Sequence, residues 1–172
     1  MKYQYLVVAI VAIAVVAIGV YVVFSAGTQV VVSGDNVSVY YTGSFSNGTV
    51  FQSDFGGQPL NFIVGANQVI PGFNNAVIGM MLNQTKNVTI PVNEAYGQVN
   101  PNLFVSVPVN AFGNQTIKIG QTVLEKIPNG GQVTGIVTKV NTSNVTVDFN
   151  PPLAGHTLIF TIKIIGIKKS SS

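Results

Sequence analysis

Cysteine, tryptophan and arginine are absent from the chain, and charge of either sign is scarce, with eight lysines, five carboxylates and one histidine in 172 residues. Without cysteine there is neither a disulfide nor a thiolate metal site, and cysteine usage carries no information about compartment. His156 has no second imidazole or thiol to share a metal or complete a nucleophilic triad, so no metal and no cofactor are expected. The net charge of +3 comes from lysines that stay scattered until Lys168 and Lys169. Nucleic acid is not an expected partner, because its footprint needs clustered basic residues on one face. Asp35, Asp54, Glu94, Glu125 and Asp148 are dispersed in sequence, although their spatial proximity stays open.

Few carboxylates also means few groups whose protonation destabilises a fold, so an acid habitat predicts a melting temperature nearly flat from pH 7 to about pH 3. A glycosylated surface at neutral pH explains the same wealth of Asn and Gln. Seven Asn-x-Ser/Thr sequons begin at Asn36, Asn47, Asn83, Asn87, Asn114, Asn141 and Asn144. They read either as surface turns or as glycan acceptors.

What is abundant is apolar: hydrophobic residues make up 47%, a figure raised by one N-terminal segment. Residues 6–24 carry no charge, and as a helix they extend about 28 Å, close to the hydrocarbon thickness of a bilayer. The pattern predicts an uncleaved transmembrane anchor, with Lys2 keeping the N-terminus cytoplasmic and the remaining chain outside the membrane. A cleavable signal peptide is the competing reading, but its apolar core is shorter, and Phe24 damages the small-residue site before a cut after Ala26. Residues 25–33 form a tether.

The organising stretch is Asn67-Gln68-Val69-Ile70-Pro71-Gly72-Phe73, an extended apolar pair entering a Pro-Gly turn from which a short helix opens. The apolar run Ala76, Val77, Ile78, Met80, Met81 and Leu82 follows it. Strands are predicted at 37–42, 49–51, 60–64 and 87–92, with Asn47-Gly48 as a hairpin turn and Leu60, Phe62 and Val64 on one face. Short strands around one helix indicate an α+β domain. From about residue 98 alternating segments at 105–109, 116–119, 135–140 and 144–148 suggest a small all-β unit. The long apolar segment 157–167 fits an interior strand, and its pairing with the first strands would bracket that unit as an insertion.

Five motifs in register carry a family resemblance: Val39-Tyr40-Tyr41-Thr42-Gly43, Asn47-Gly48-Thr49-Val50-Phe51, Val69-Ile70-Pro71-Gly72-Phe73, Ala95-Tyr96-Gly97 and the segment from Leu153 to Phe160. In their order and spacing over residues 34–168 the chain resembles the FKBP family of peptidyl-prolyl isomerases, and more narrowly its SlyD-type branch with an inserted chaperone domain. The resemblance implies an antiparallel sheet wrapped around a short helix. It further implies an isomerase domain at 34–98 and 151–168 and an inserted β unit at 99–150. The catalytic positions it implies are Tyr41, Phe51, Ile70, Phe73, Tyr96 and Phe160. Gln52, Asp54, Leu60, Phe62 and Val69 are the expected substrate contacts, joined by Leu103, Phe104 and Val105 on apolar strand surface of the insert.

Three departures matter. Gln52 stands where many members have Asp after the pocket phenylalanine, with Asp54 two residues on as a partial substitute. Leu60 replaces a common Phe, and Phe73 replaces the Trp found at the pocket floor of many single-domain members. The family's histidine-rich tail is missing.

The expected function is isomerisation of prolines in unfolded or proline-containing polypeptides outside the cytoplasm, by an apolar pocket without covalent or metal chemistry. A binding-only chaperone or cell-surface scaffold with a silent pocket is the alternative, and an adhesion module leaves the ordered motifs unexplained.

Overall fold

The computed structural model describes residues 29–113, 115–126 and 130–170. The predicted anchor at 6–24 and the start of the tether lie outside them. Among the described residues no helix is long and apolar enough to cross a membrane.

Alternation of branched and polar residues builds most of the chain into antiparallel strands. The first sheet contains β1 (Asn36–Phe45), β2 (Val50–Ser53), β3 (Leu60–Ile63), β4 (Thr85–Ile90) and a final long strand, Leu158–Lys168. That final strand lies between β1 and β4, and its register with β1 runs from Asn36↔Lys168 to Phe45↔Leu158. On the other side of β1, β3 pairs with Asn36 to Val39 and β2 with Thr42 to Ser44. Leu158, Phe160, Ile162 and Ile164 are buried on one face of the final strand. Burying each such side chain contributes about 1.5–3 kcal/mol.

The one α-helix among the described residues, α1 (Pro71–Val77), places Phe73, Ala76 and Val77 in this core. Pro71 at its first turn lacks the N–H that would be unpaired there. Gly72 lets α1 approach β4, since a Cβ there would lie 2.4 Å from Ile90. The helix stops at Val77: Ile78 is extended and Gly79 turns at φ +79. Ile78, Met81 and Leu82 therefore leave the helix and stand exposed, while Met80 turns into the core.

A second sheet occupies the sequence between β4 and the final strand. It consists of β5 (Phe104–Pro108), β6 (Thr122–Lys126), β7 (Gln132–Val140) and β8 (Asn144–Asp148), in the order β5-β8-β7-β6. With these in place the final strand is β9. The second sheet has its own small core of Val137, Val145 and Val147. The predicted strand at 116–119 does not form, because the Lys118 N–H bonds the Gln121 side chain and the Gly120 N–H reaches back to Val137. Instead 122–126 pairs with β7. The segments entering and leaving the second sheet are clamped where the Asn100 N–H donates to Asn150 Oδ1 at 2.8 Å and Asn150 Nδ2 to the Asn100 carbonyl at 3.2 Å.

One buried carboxylate ties the start of the described chain to its end. Asp35 is fully buried. Its Oδ2 accepts from Lys169 Nζ at 2.8 Å and from the Val32 N–H at 2.9 Å, and Lys169 Nζ also donates to the Val30 carbonyl at 2.6 Å. The Lys169 hydrogen bond, helped by the Val32 N–H, holds the Asp35 carboxyl below its ordinary 3.8 despite burial. A lowered folded value stabilises the fold above pH 3.8, and this stability is lost as pH falls through the folded value, since the unfolded chain takes up the proton first. Thermal melts across pH should therefore stay flat through the mildly acid range and fall below about pH 4, earlier than the limit of about pH 3 expected from the scarcity of carboxylates alone. Lys169→Ala should melt lower than the parent at pH 7, with the difference shrinking below pH 3.

Candidate active site

Tyr41, Gly43 and Phe45 alternate along one face of β1, and Gly43 is flanked by Gln52 on β2 and Phe160 on β9. A Cβ at Gly43 would lie 2.6 Å from the Phe51 ring and 2.9 Å from the Phe160 ring. The missing side chain is thus the space those two rings occupy. Phe160 meets Phe73 edge-on with centroids 5.2 Å apart, Phe51 at 5.9 Å and Tyr41 at 5.9 Å in a tilted contact. Tyr41 in turn meets Phe73 edge-on at 5.6 Å. Each such pair contributes about 0.5–1.5 kcal/mol beyond burial and fixes ring orientation.

These rings line a cavity of about 150 Å³, together with Gln52, Leu60, Gln68, Val69, Ile70 and Tyr96. Phe73 rises from α1 and Tyr96 follows a 3-10 turn at Val92–Glu94. The loop before α1 is pinned where Gln68 Oε1 accepts the Ile63 N–H at 2.8 Å and Asn74 Oδ1 accepts the Gly65 N–H at 2.7 Å. Asn67 takes the left-handed conformation at φ 55. Among the described residues neither the Ile70 N–H nor the Tyr96 hydroxyl has a protein partner.

All six residues expected to be catalytic, Tyr41, Phe51, Ile70, Phe73, Tyr96 and Phe160, line this one cavity, as do Gln52, Leu60 and Val69. Phe62 does not. It is buried beneath Phe73 at 5.9 Å and supports the floor from below. Asp54 also lies outside the lining: β2 ends at Ser53, and the Asp54 carboxylate turns back to accept the Tyr41 N–H at 2.5 Å. It therefore braces β1 rather than replacing a carboxylate in the cavity. Leu103, Phe104 and Val105 belong to the second sheet or its entry and are not part of the cavity. Gln68 was not among the expected contacts, and its only signal is its place between Asn67 and Val69.

The lining holds no Asp, Glu, His or Lys. Burial, with smaller contributions from Asp54 and Tyr96, pushes the Tyr41 phenol above its ordinary 10.0, so it stays protonated. Among the described residues no three of His, Cys, Asp and Glu come together as metal ligands.

This cavity lies within a stretch, residues 27–165, that matches the model of the FKBP-type peptidyl-prolyl cis-trans isomerases, and the chain belongs to that family. Among individual relatives, a probable FKBP-type 16 kDa peptidyl-prolyl cis-trans isomerase of Pseudomonas fluorescens is 32% identical over 77% of this chain and 88% of its own length. SlyD of Helicobacter pylori is 31% identical over 71% of this chain and 66% of its own length. A short-type peptidyl-prolyl cis-trans isomerase of Methanocaldococcus jannaschii is 36% identical over 67% and 71% respectively.

Gly43→Ala tests the packing of the walls. The added methyl must displace Phe51 or Phe160, so stability should fall by about 1–3 kcal/mol. Prolyl isomerase activity should fall with it while far-UV circular dichroism is unchanged.

Proposed function

We propose that this chain accelerates cis–trans isomerisation of Xaa-Pro bonds in the cavity bounded by Tyr41, Phe51, Phe73, Tyr96 and Phe160. Rotation about such a bond is slow because amide resonance sets a barrier of about 18–20 kcal/mol. The twisted transition state loses that resonance and much of its charge separation. A ring-lined cavity without ionised groups disfavours the planar, polar amide relative to the twisted one. A rate gain of ~10⁴ requires about 5.5 kcal/mol of such differential stabilisation. The free Ile70 N–H and the Tyr96 hydroxyl serve as donors to carbonyls of the bound chain, and the rings hold the pyrrolidine. Gln52 offers an amide acceptor without a charge. The observation that carries this reading is the convergence of the family's pocket positions on one cavity.

The clients are unfolded or proline-containing polypeptides, held by the apolar surface of the second sheet. Phe104 and Val105 on its edge strand β5 and Leu124 on the opposite edge strand β6 are all exposed. An exposed edge offers both main-chain pairing and apolar contact to an extended chain. Residues 6–24 anchor the protein in a membrane, with the isomerase on the extracytoplasmic side. Tethering raises the local concentration of a held client's prolines at the cavity.

A prolyl tetrapeptide assay on the full chain tests the catalytic reading. Activity should be flat from about pH 6 to 8, because the lining holds no Asp, Glu, His or Lys. Tyr96→Phe should reduce kcat/KM several-fold with little change in melting temperature. A folded chain that does not accelerate the peptide would instead be a binding-only chaperone. The client reading is separate: Phe104→Ser with Val105→Ser should raise the concentration needed to suppress aggregation of an unfolded protein, and leave tetrapeptide isomerisation unchanged.

A further inference from the structure

An apolar patch on the first sheet's unit lies where the described chain begins. Val30 bridges to Met81 in antiparallel fashion, and the neighbouring Val31 N–H donates to the Met80 carbonyl at 2.9 Å. Val31 and Met80 point inward, which leaves Val30, Val32, Ile78, Met81 and Leu82 outward, each 38–46% exposed. Beside them Gln29, Met81 and Leu82 border a shallow hollow of about 420 Å³. Five exposed apolar side chains adjoining in one place are not the scattered singles of an ordinary surface.

Two lysines bond to the backbone at the border of this patch. Lys86 Nζ donates to the Ala76 carbonyl at 3.1 Å and Lys169 Nζ to the Val30 carbonyl at 2.6 Å. The carboxylate nearest to it, Asp35, is buried and neutralised by Lys169. The remaining acids sit elsewhere: Asp54 beside Tyr41, Glu94 after β4, Glu125 and Asp148 in the second sheet. The patch is thus apolar, bordered by Lys86 and by the neutral Asp35–Lys169 pair.

We infer that this face rests on the surface of a lipid bilayer, so that the isomerase unit is seated on the membrane rather than swinging on a tether. The inference rests on the reading of residues 6–24 as an anchor. Only residues 25–29 separate that uncharged run from Val30, a reach of at most about 18 Å. The seating of an apolar face with a lysine at its border is the pattern of an interfacial contact with a bilayer. It orients the cavity, because the patch adjoins the Asn36 end of β1 and Tyr41 lies five residues along that strand. At the rise of a strand this holds Tyr41 about 17 Å from that end, within reach of an extended polypeptide at the membrane surface.

The absence of cysteine allows a clean test. Met81→Cys and, independently, Leu82→Cys are each labelled with one fluorophore in the full chain. Ser46→Cys, in the turn beyond the far end of β1, provides the comparison. Each is reconstituted in phosphatidylcholine–phosphatidylglycerol vesicles with brominated acyl chains. The proposal expects bromolipid quenching at 81 and 82 at least about twice that at 46. Equal quenching at all three positions on vesicle-bound protein overturns the seating and leaves the anchor intact. Labels at 81 and 82 shielded from both brominated lipid and aqueous iodide also overturn it, assigning the face to a second copy or to residues 6–24. A chain that stays in the aqueous phase overturns the seating and the anchor together.

Discussion

The pairing of β1 with β9 is the constraint on which the rest depends. It joins residues from the two ends of the described chain along the whole of β1, from Asn36↔Lys168 to Phe45↔Leu158. The four strands of the second sheet lie in the loop that this pairing closes. Loop closure grows only slowly more costly with length, so an entire folded unit fits between β4 and β9 without undoing the first sheet. The pairing also sets Gly43 opposite Phe160, and the site follows from that register. Slipping it by one residue would turn Phe160 to the other face and empty the wall.

The walls in turn depend on what is absent. No side chain at Gly43 leaves room for Phe51 and Phe160, and no charge in the lining keeps the cavity a poor solvent for a planar amide. Gln52 fits that environment, since a carboxylate there would bring either a charge or a raised pKa into an apolar hollow. The nearby acid, Asp54, spends its acceptor capacity on the Tyr41 backbone. The site therefore works by shape and low polarity, with two free donors at its edge.

Much of this was legible in the sequence, for identifiable reasons. Period-two alternation located most strands of the first sheet, and the ordered aromatic motifs anticipated the residues that share the cavity. Alternation tells which face a side chain takes but not its depth. Phe62 shares a face with Leu60 yet lies a layer lower, under Phe73. Nor does alternation persist past a strand end, which is why Asp54 did not follow Gln52 into the cavity. The apolar run after Val77 gave no sign of which members are buried: Gly79 ends the helical path and leaves Ile78, Met81 and Leu82 outward while Met80 enters the core. Composition had no signal for the Asp35–Lys169 pair, whose members are brought together only by the pairing of β1 with β9. The same pairing explains why a chain so poor in acids still has one carboxylate buried and satisfied.

The central claim is that prolyl rotation happens among these rings. Exchange NMR on a proline-containing peptide mixed with the isotope-labelled full chain tests it most directly, because one sample reports both the cis–trans exchange rate and the residues that sense the peptide. The account predicts accelerated exchange, with chemical-shift changes concentrated at Tyr41, Phe51, Ile70, Tyr96 and Phe160. Unaltered exchange with shift changes confined to the second sheet would contradict it.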